Sequence, residues 1–118
     1  MTEQIYLFDT TLRDGQQTQG VDFNSSDKTR LTEALDELGV DYIEGGWPGA
    51  NPTDTEFFNK KHGFKNAKLT AFGMTKKSEH SAENDPMLAS LINSKSSSVC
   101  LFGKSWDFQV DVALGITN

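Results

Sequence analysis

The chain has 118 residues, 36% of them hydrophobic and 10% aromatic, which suits one ordinary domain around one core. Its formal net charge of −6, from 11 basic and 17 acidic side chains, excludes nucleic acid and an anionic membrane surface as partners, because neither attracts a polyanion. A single cysteine excludes an internal disulfide, no basic start leads into an apolar h-region, and no run approaches the roughly 18 apolar residues of a membrane span, so the chain reads as soluble and cytoplasmic.

Ile5-Tyr6-Leu7-Phe8 is a short β-prone run without helical period, which predicts a first strand buried on both faces. It leads straight into FDTTLRDGQQ, Phe8 to Gln17, an unusually charged end for a strand. Ser26 is placed as the cap of a first helix with Leu31, Ala34, Leu35 and Leu38 on one face, and Gly39 stands where a left-handed residue would end it. Val40 to Glu44 predicts a second strand, followed by GGWPGANPTD, where two prolines and three glycines exclude regular structure.

Thr53 and Glu56 have capping-box spacing and predict a short second helix running to about His62 or Gly63. Ala67 to Gly73 is a third strand, and MTKKSEHSAEND is a polar loop without period. Asp85-Pro86 is an N-cap followed by proline in the first turn of a third helix, with Met87, Leu88, Leu91 and Ile92 as its apolar stripe. Ser97 to Gly103 predicts a fourth strand and Trp106 to Gly115 a fourth helix.

Strict β/α alternation with apolar strands calls for a parallel sheet with helices outside. Two architectures satisfy it: an open doubly wound sheet, which pattern and length favour, and part of a closed barrel that needs about 250 residues when complete. In both, ligands meet the C-terminal ends of the strands. Asp9, Arg13 and Asp14 follow the first strand, Glu44 closes the second, Thr75 and Lys76 follow the third, and Lys104, Trp106 and Asp107 follow the fourth. Any one of these is an ordinary loop charge; polar side chains at all four ends mark a site.

Glu44 follows Tyr42-Ile43 inside an apolar strand, where an unpaired carboxylate is costly, so it should meet a cation such as Arg13. The adjacent Arg13 and Asp14 have complementary abilities. A carboxylate can hold a hard divalent cation, and a guanidinium can donate two parallel hydrogen bonds to an oxygen gaining negative charge. Together they suit enolate or oxyanion chemistry on a keto acid. His62, at a predicted helix C-terminus, and His80, in a polar loop, lack ligand spacing, and no His-x-His or Glu-x-x-His pattern occurs. Cys100 in mid-strand predicts a buried, inert thiol, and Trp106-Phe108-Val110 reads as packing.

FDTTLRDGQQ, VDYIEGGWPGANPTD, AFGMTK and CLFGKSWDFQV together resemble the opening of the barrel family that includes isopropylmalate, homocitrate and citramalate synthases and hydroxymethylglutaryl-CoA lyase. EGGWPGANPTD and FGKSWD are most similar to the citramalate-synthase-like branch. The resemblance reverses the preference for an open sheet. It implies an α/β fold in which residues 1–118 form the first four βα units of a TIM (β/α)8 barrel, an incomplete half barrel, with the later strands and any regulatory domain absent.

The implied activity is that of a metal-dependent acyltransferase of amino-acid biosynthesis that condenses acetyl-CoA with a 2-keto acid. Pyruvate going to citramalate comes first, with the 2-isopropylmalate and homocitrate types behind it. By the resemblance, Arg13 matches the arginine that stabilises the developing oxyanion, Asp14 the carboxylate metal ligand and Glu44 the acid that steadies the arginine. Gln17 matches a glutamine beside the metal site, and Thr75, Lys76, Lys104 and Trp106 match positions lining the mouth. The implied cofactor is a divalent cation, Mg, Mn or Zn, with acetyl-CoA as co-substrate.

Three departures accompany the likeness: no His-x-His pair is present, Gln109 stands where relatives often have histidine, and DGQQ replaces DGEQ. The chain is therefore expected to bind metal weakly and to be inactive by itself. The same residues serve the reverse, lyase direction, and a non-catalytic binding or assembly module is the reading from another class. The chain reads as a piece of a longer enzyme. Were it a whole polypeptide, its first and fourth strands would be open edges, to be hidden against a second copy or a complementary half barrel.

Overall fold

Each β-prone run hands the backbone to a segment that returns it to the start of the next parallel strand, in a computed structural model that describes residues 2–117. The strands are β1 (Phe8–Asp9), β2 (Tyr42–Gly46), β3 (Lys68–Met74) and β4 (Ser98–Phe102). A 3-10 turn (Gly15–Gln17) and α1 (Ser25–Leu38) follow β1, α2 (Pro52–Asn59) follows β2, and α3 (Pro86–Ile92) follows β3. After β4 comes the single turn α4 (Asp107–Gln109), which widens into a π-helical run, Val110–Leu114. The sheet order is β1-β2-β3-β4, all parallel. A doubly wound sheet reverses its strand order at a switch point, whereas a barrel adds strands in sequence, so the order is that of a barrel arc. No helix among the described residues is long and apolar enough to cross a membrane.

Side-chain alternation divides the sheet into two unlike faces. Leu69 and Ala71 of β3 join Phe57 and Phe58 of α2 and Leu91 of α3 in one buried cluster. Ile43 of β2 joins Leu12 and Val40 in another, with Leu31 and Leu35 of α1 packed against it. The opposite face carries Glu44, Thr70 and Phe72, with Ser98 and Cys100 of β4 in register with Thr70 and Phe72.

The predicted first strand is corrected. Only Phe8 and Asp9 enter the ladder, and Ile5 is 81% exposed rather than buried on both faces. The backbone there is paired, since the Leu7 carbonyl accepts from the amides of Asp41 and Tyr42, but β1 has β2 as its one neighbour among the described strands. The apolar stripe of α1 is half corrected too: Leu38 is 78% exposed, Ala34 is exposed, and the buried positions are Ser25, Lys28, Thr32 and Asp36. In α3, Leu91 is buried and Ile92 is exposed.

Two caps also move. Asn24, not Ser26, caps α1: its side chain accepts from the Asp27 amide at 2.9 Å while the Asp27 carboxylate accepts from the Asn24 amide at 3.1 Å. Asn51, not Thr53, caps α2 by accepting from the Asp54 amide at 2.8 Å, which puts Pro52 at the first helical position and ends the helix at Asn59. Asp85 caps α3 as expected, accepting from the Met87 and Leu88 amides.

Buried charged groups hold the connections. Lys28 Nζ donates to the Leu12 carbonyl at 2.9 Å, to the Gly45 carbonyl at 2.8 Å and to the Asp54 carboxylate, tying α1 to the β1 loop, the end of β2 and α2. Burial pushes the Lys28 pKa down, opposed by the hydrogen bond and charge of Asp54. Asp54 also accepts from the Trp47 amide at 2.9 Å, and Gly46 leaves it room: φ there is +145°, and a Cβ would lie 2.5 Å from the Asp54 carboxyl carbon.

At the opposite end, Asp36 accepts from the amides of Lys65, Asn66 and Ala67 at 2.8, 2.8 and 2.6 Å, pinning the entry to β3. Burial disfavours its charge, but the three amide donors outweigh that and hold its pKa below the usual carboxylate range. Asp85 is held lower still by the Lys77 amide, His80 and the cap amides.

Lys28→Met should cost about 3–5 kcal/mol in chemical denaturation, because the Asp54 carboxylate stays buried without its cation. Between about pH 5 and 7 these two carboxylates should leave the stability flat, and it should be lost as pH falls through the unfolded carboxylate range toward the depressed folded values of Asp36 and Asp85. Asp36→Asn should remove about 1–3 kcal/mol at pH 7 and give a shallower acid limb, read from urea melts across pH 2.5–7, about the range over which carboxylates titrate.

Candidate active site at the strand ends

The loop after β1 is a tight knot of main-chain bonds. The Thr10 carbonyl accepts from the amides of Arg13, Asp14 and Gly15 at 3.2, 2.9 and 3.0 Å, and the Asp9 carboxylate accepts from the Thr11 amide and hydroxyl, both at 3.0 Å. Leu12 is fully buried in the cluster with Ile43, and its carbonyl is gripped by Lys28. The residue after that anchor, Arg13, is thereby carried to the open face of the sheet.

There Arg13 Nε donates to Glu44 Oε1, the pairing expected from a carboxylate inside an apolar strand. Glu44 is 1% exposed, so the guanidinium is the cation that makes its burial tolerable. Nη1 donates to Asp14 Oδ1 at 3.3 Å, and the guanidinium carbon lies 4.1 Å from the centroid of the Phe72 ring. Trp47 meets Phe72 edge-on, with centroids 5.5 Å apart and planes at 83°. A guanidinium has five N–H donors. One is held by Glu44 and one by Asp14, while Nη2 has no partner among the described residues. That is a charged donor edge fixed in place and unsaturated, as oxyanion stabilisation requires.

Cys100 faces the same carboxylate. It is half-buried rather than buried, because β4 is an outer strand of the sheet. Burial, then the charge and hydrogen bond of Glu44, push its thiol pKa up, with Arg13 opposing.

The other expected site residues divide. Gln17 is exposed at the end of the 3-10 turn. Thr75 and Lys104 line a cleft of about 900 Å³ at the ends of β3 and β4, together with Lys76, Trp47, Met74 and Leu114. Trp106 is outside that wall: it is 60% exposed and packs on Phe108 at 5.1 Å. His62 Nε2 lies 2.8 Å from the Phe57 carbonyl at the end of α2, and His80 Nδ1 lies 3.0 Å from the Asp85 carboxylate. Both have structural contacts.

Asp14 is 63% exposed beside Arg13, and no three His, Cys, Asp or Glu side chains converge on one point among the described residues. One carboxylate does not fit the several oxygen ligands a hard divalent cation takes, so these residues do not themselves make a metal centre. Phe72 and Trp47 escaped the sequence reading. Their signal was positional: Phe72 is on the Thr70 face of β3, the face that also presents Glu44.

Compared with known proteins, residues 4–117 match a family model described as HMGL-like. An (R)-citramalate synthase of Aquifex aeolicus is 53% identical over 119 residues, covering 99% of this chain and 22% of that protein. One from Sulfolobus acidocaldarius is 48% identical over 118 residues, covering 98% and 23%. A 2-isopropylmalate synthase of Caldanaerobacter subterraneus is 35% identical over 117 residues, covering 98% and 28%. The chain thus spans 22% to 28% of the length of these relatives.

Because the Cys100 thiol is pushed up, iodoacetamide should modify it more slowly at pH 8 than an unhindered thiol, with the rate still climbing above that pH. Glu44→Gln removes the neighbouring charge and should speed the reaction at pH 8, while burial of the thiol keeps it slower than an unhindered one. A pH series read by mass spectrometry checks both.

Proposed function

The chain belongs to the HMGL-like family, and on that footing we propose that it supplies the arginine–glutamate part of an acyltransferase of the citramalate-synthase type. In this reading the acetyl group of acetyl-CoA is joined to a 2-keto acid, pyruvate foremost. The observation that carries it is the Arg13 guanidinium, held through Nε by buried Glu44 and through Nη1 by Asp14, with Nη2 unpartnered among the described residues.

Carbon–carbon bond formation between an enolate and a keto carbon turns the keto oxygen into an alkoxide. Arg13 donates to the oxygen that gains this charge, and an already oriented donor does so without reorganising at the moment of reaction. Glu44 anchors the guanidinium at Nε and balances its charge. Asp14, the exposed carboxylate beside it, would be one ligand of a divalent cation. Gln17, on the turn that follows, and Thr75 and Lys104, on the wall of the 900 Å³ cleft, would contact the substrates. The outer strands β1 and β4 would be covered by further βα units of the same barrel. With a single candidate cation ligand, the 118 residues by themselves should not turn over.

Calorimetric titration of the chain with pyruvate should show weak binding that Arg13→Gln reduces at least about tenfold, the worth of one charge-assisted hydrogen bond. Equal affinity in the two proteins overturns the assignment of Arg13. Thiol release from acetyl-CoA in the presence of pyruvate, if dependent on Arg13, overturns the expectation that the chain alone is incompetent.

A further inference from the structure

The in-plane contacts of Arg13 do not by themselves fix its guanidinium. Glu44 takes one N–H, which leaves rotation about the Nε–Oε1 line, and Asp14 accepts at 3.3 Å from an exposed position. Neither resists a tilt that would carry Nη2 out of the plane it now occupies. The contact that does is the ring of Phe72, whose centroid is 4.1 Å from the guanidinium carbon. A planar cation on an aromatic face is held flat and loses water from that face, while its N–H edge stays available to donate.

Phe72 is itself braced. Trp47 packs edge-on against it, and the Trp47 amide is bonded to Asp54, the carboxylate clamped by Lys28. The indole Nε1 of Trp47 is buried with no hydrogen-bond partner among the described residues. An unsatisfied buried donor is disfavoured, so what Trp47 contributes here is the shape and edge of its ring.

We propose that Phe72, backed by Trp47, is a positioning residue that sets the plane of the Arg13 guanidinium and so aims Nη2 at the bound oxygen. This rests on the reading that Arg13 stabilises an oxyanion, and it adds a requirement that reading does not contain: the ring at position 72 must be aromatic.

Two measurements on the 118-residue chain separate the claims. The Arg13 Nε–H resonance, assigned by its loss in Arg13→Lys, should be shifted by the ring current and slow to exchange with water. Phe72→Leu should lose the shift and speed exchange several-fold with little change in Tm, and pyruvate affinity should fall about three- to tenfold. Phe72→Tyr should retain both signals. Should Phe72→Leu fail to fold, Trp47→Leu carries the same readouts. An Arg13 resonance and pyruvate affinity unchanged in Phe72→Leu, or lost equally in Phe72→Tyr, overturns the proposal. If the wild-type chain binds no pyruvate while the resonance still separates Leu from Tyr, the positioning role stands and the keto-acid reading falls.

Discussion

A carboxylate shut inside a β-strand demands a cation, and in this chain that demand organises one end of the sheet. Glu44 is almost completely buried on β2, and Arg13 reaches it from the loop after β1. Removing such a charge from water is tolerable only if the partner is delivered with good geometry. Delivery in turn depends on Leu12, which is buried in the helix-side core and held by its carbonyl to Lys28. The ion pair on one face of the sheet is therefore aimed by packing on the other.

The same economy recurs wherever two elements meet. The apolar clusters are small, and buried Lys28, Asp54, Asp36 and Asp85 each bind backbone groups of a neighbouring loop. Lys28 and Asp54 work at the C-terminal end of β2, Asp36 at the entry to β3 and Asp85 in the loop after β3. Each fixes main chain rather than only another side chain, and at the C-terminal strand ends Lys28, Asp54 and Asp85 so hold the loops after β1, β2 and β3. A site needs supports of this kind to keep its groups within a fraction of an ångström of working geometry.

How far the sequence revealed this depends on which physical signal each feature leaves. The β/α order and the Glu44–Arg13 pairing were legible, the first from alternation and the second because an acid in an apolar strand is conspicuous. The caps slipped by two residues because Asn24 and Ser26, like Asn51 and Thr53, are all capping types, and only side-chain geometry chooses between them. The α1 stripe misled because Lys28, Thr32 and Asp36 are buried by virtue of hydrogen bonds, which hydrophobic periodicity does not register. An apolar run such as Ile5 to Phe8 declares a β-prone segment but not what covers it. Phe72 was hidden for the opposite reason: an aromatic in mid-strand looks like core until the strand register shows which face it shares.

Arg13 and Lys28 each pair with a buried carboxylate, and their donor accounting differs. The ammonium of Lys28 has three hydrogens and three acceptors, the carbonyls of Leu12 and Gly45 and the carboxylate of Asp54, so it is saturated and closed to any further ligand. The guanidinium of Arg13 is held by one edge and one face and keeps donors in reserve. An ion pair that only stabilises a fold gains by using every donor, since an unused one has been desolvated without return. The reserve on Arg13, whose side chain is 21% exposed, is what the proposed role draws on. It also explains the residue type, because an ammonium at position 13 has no planar face to rest on Phe72 and no second edge to offer.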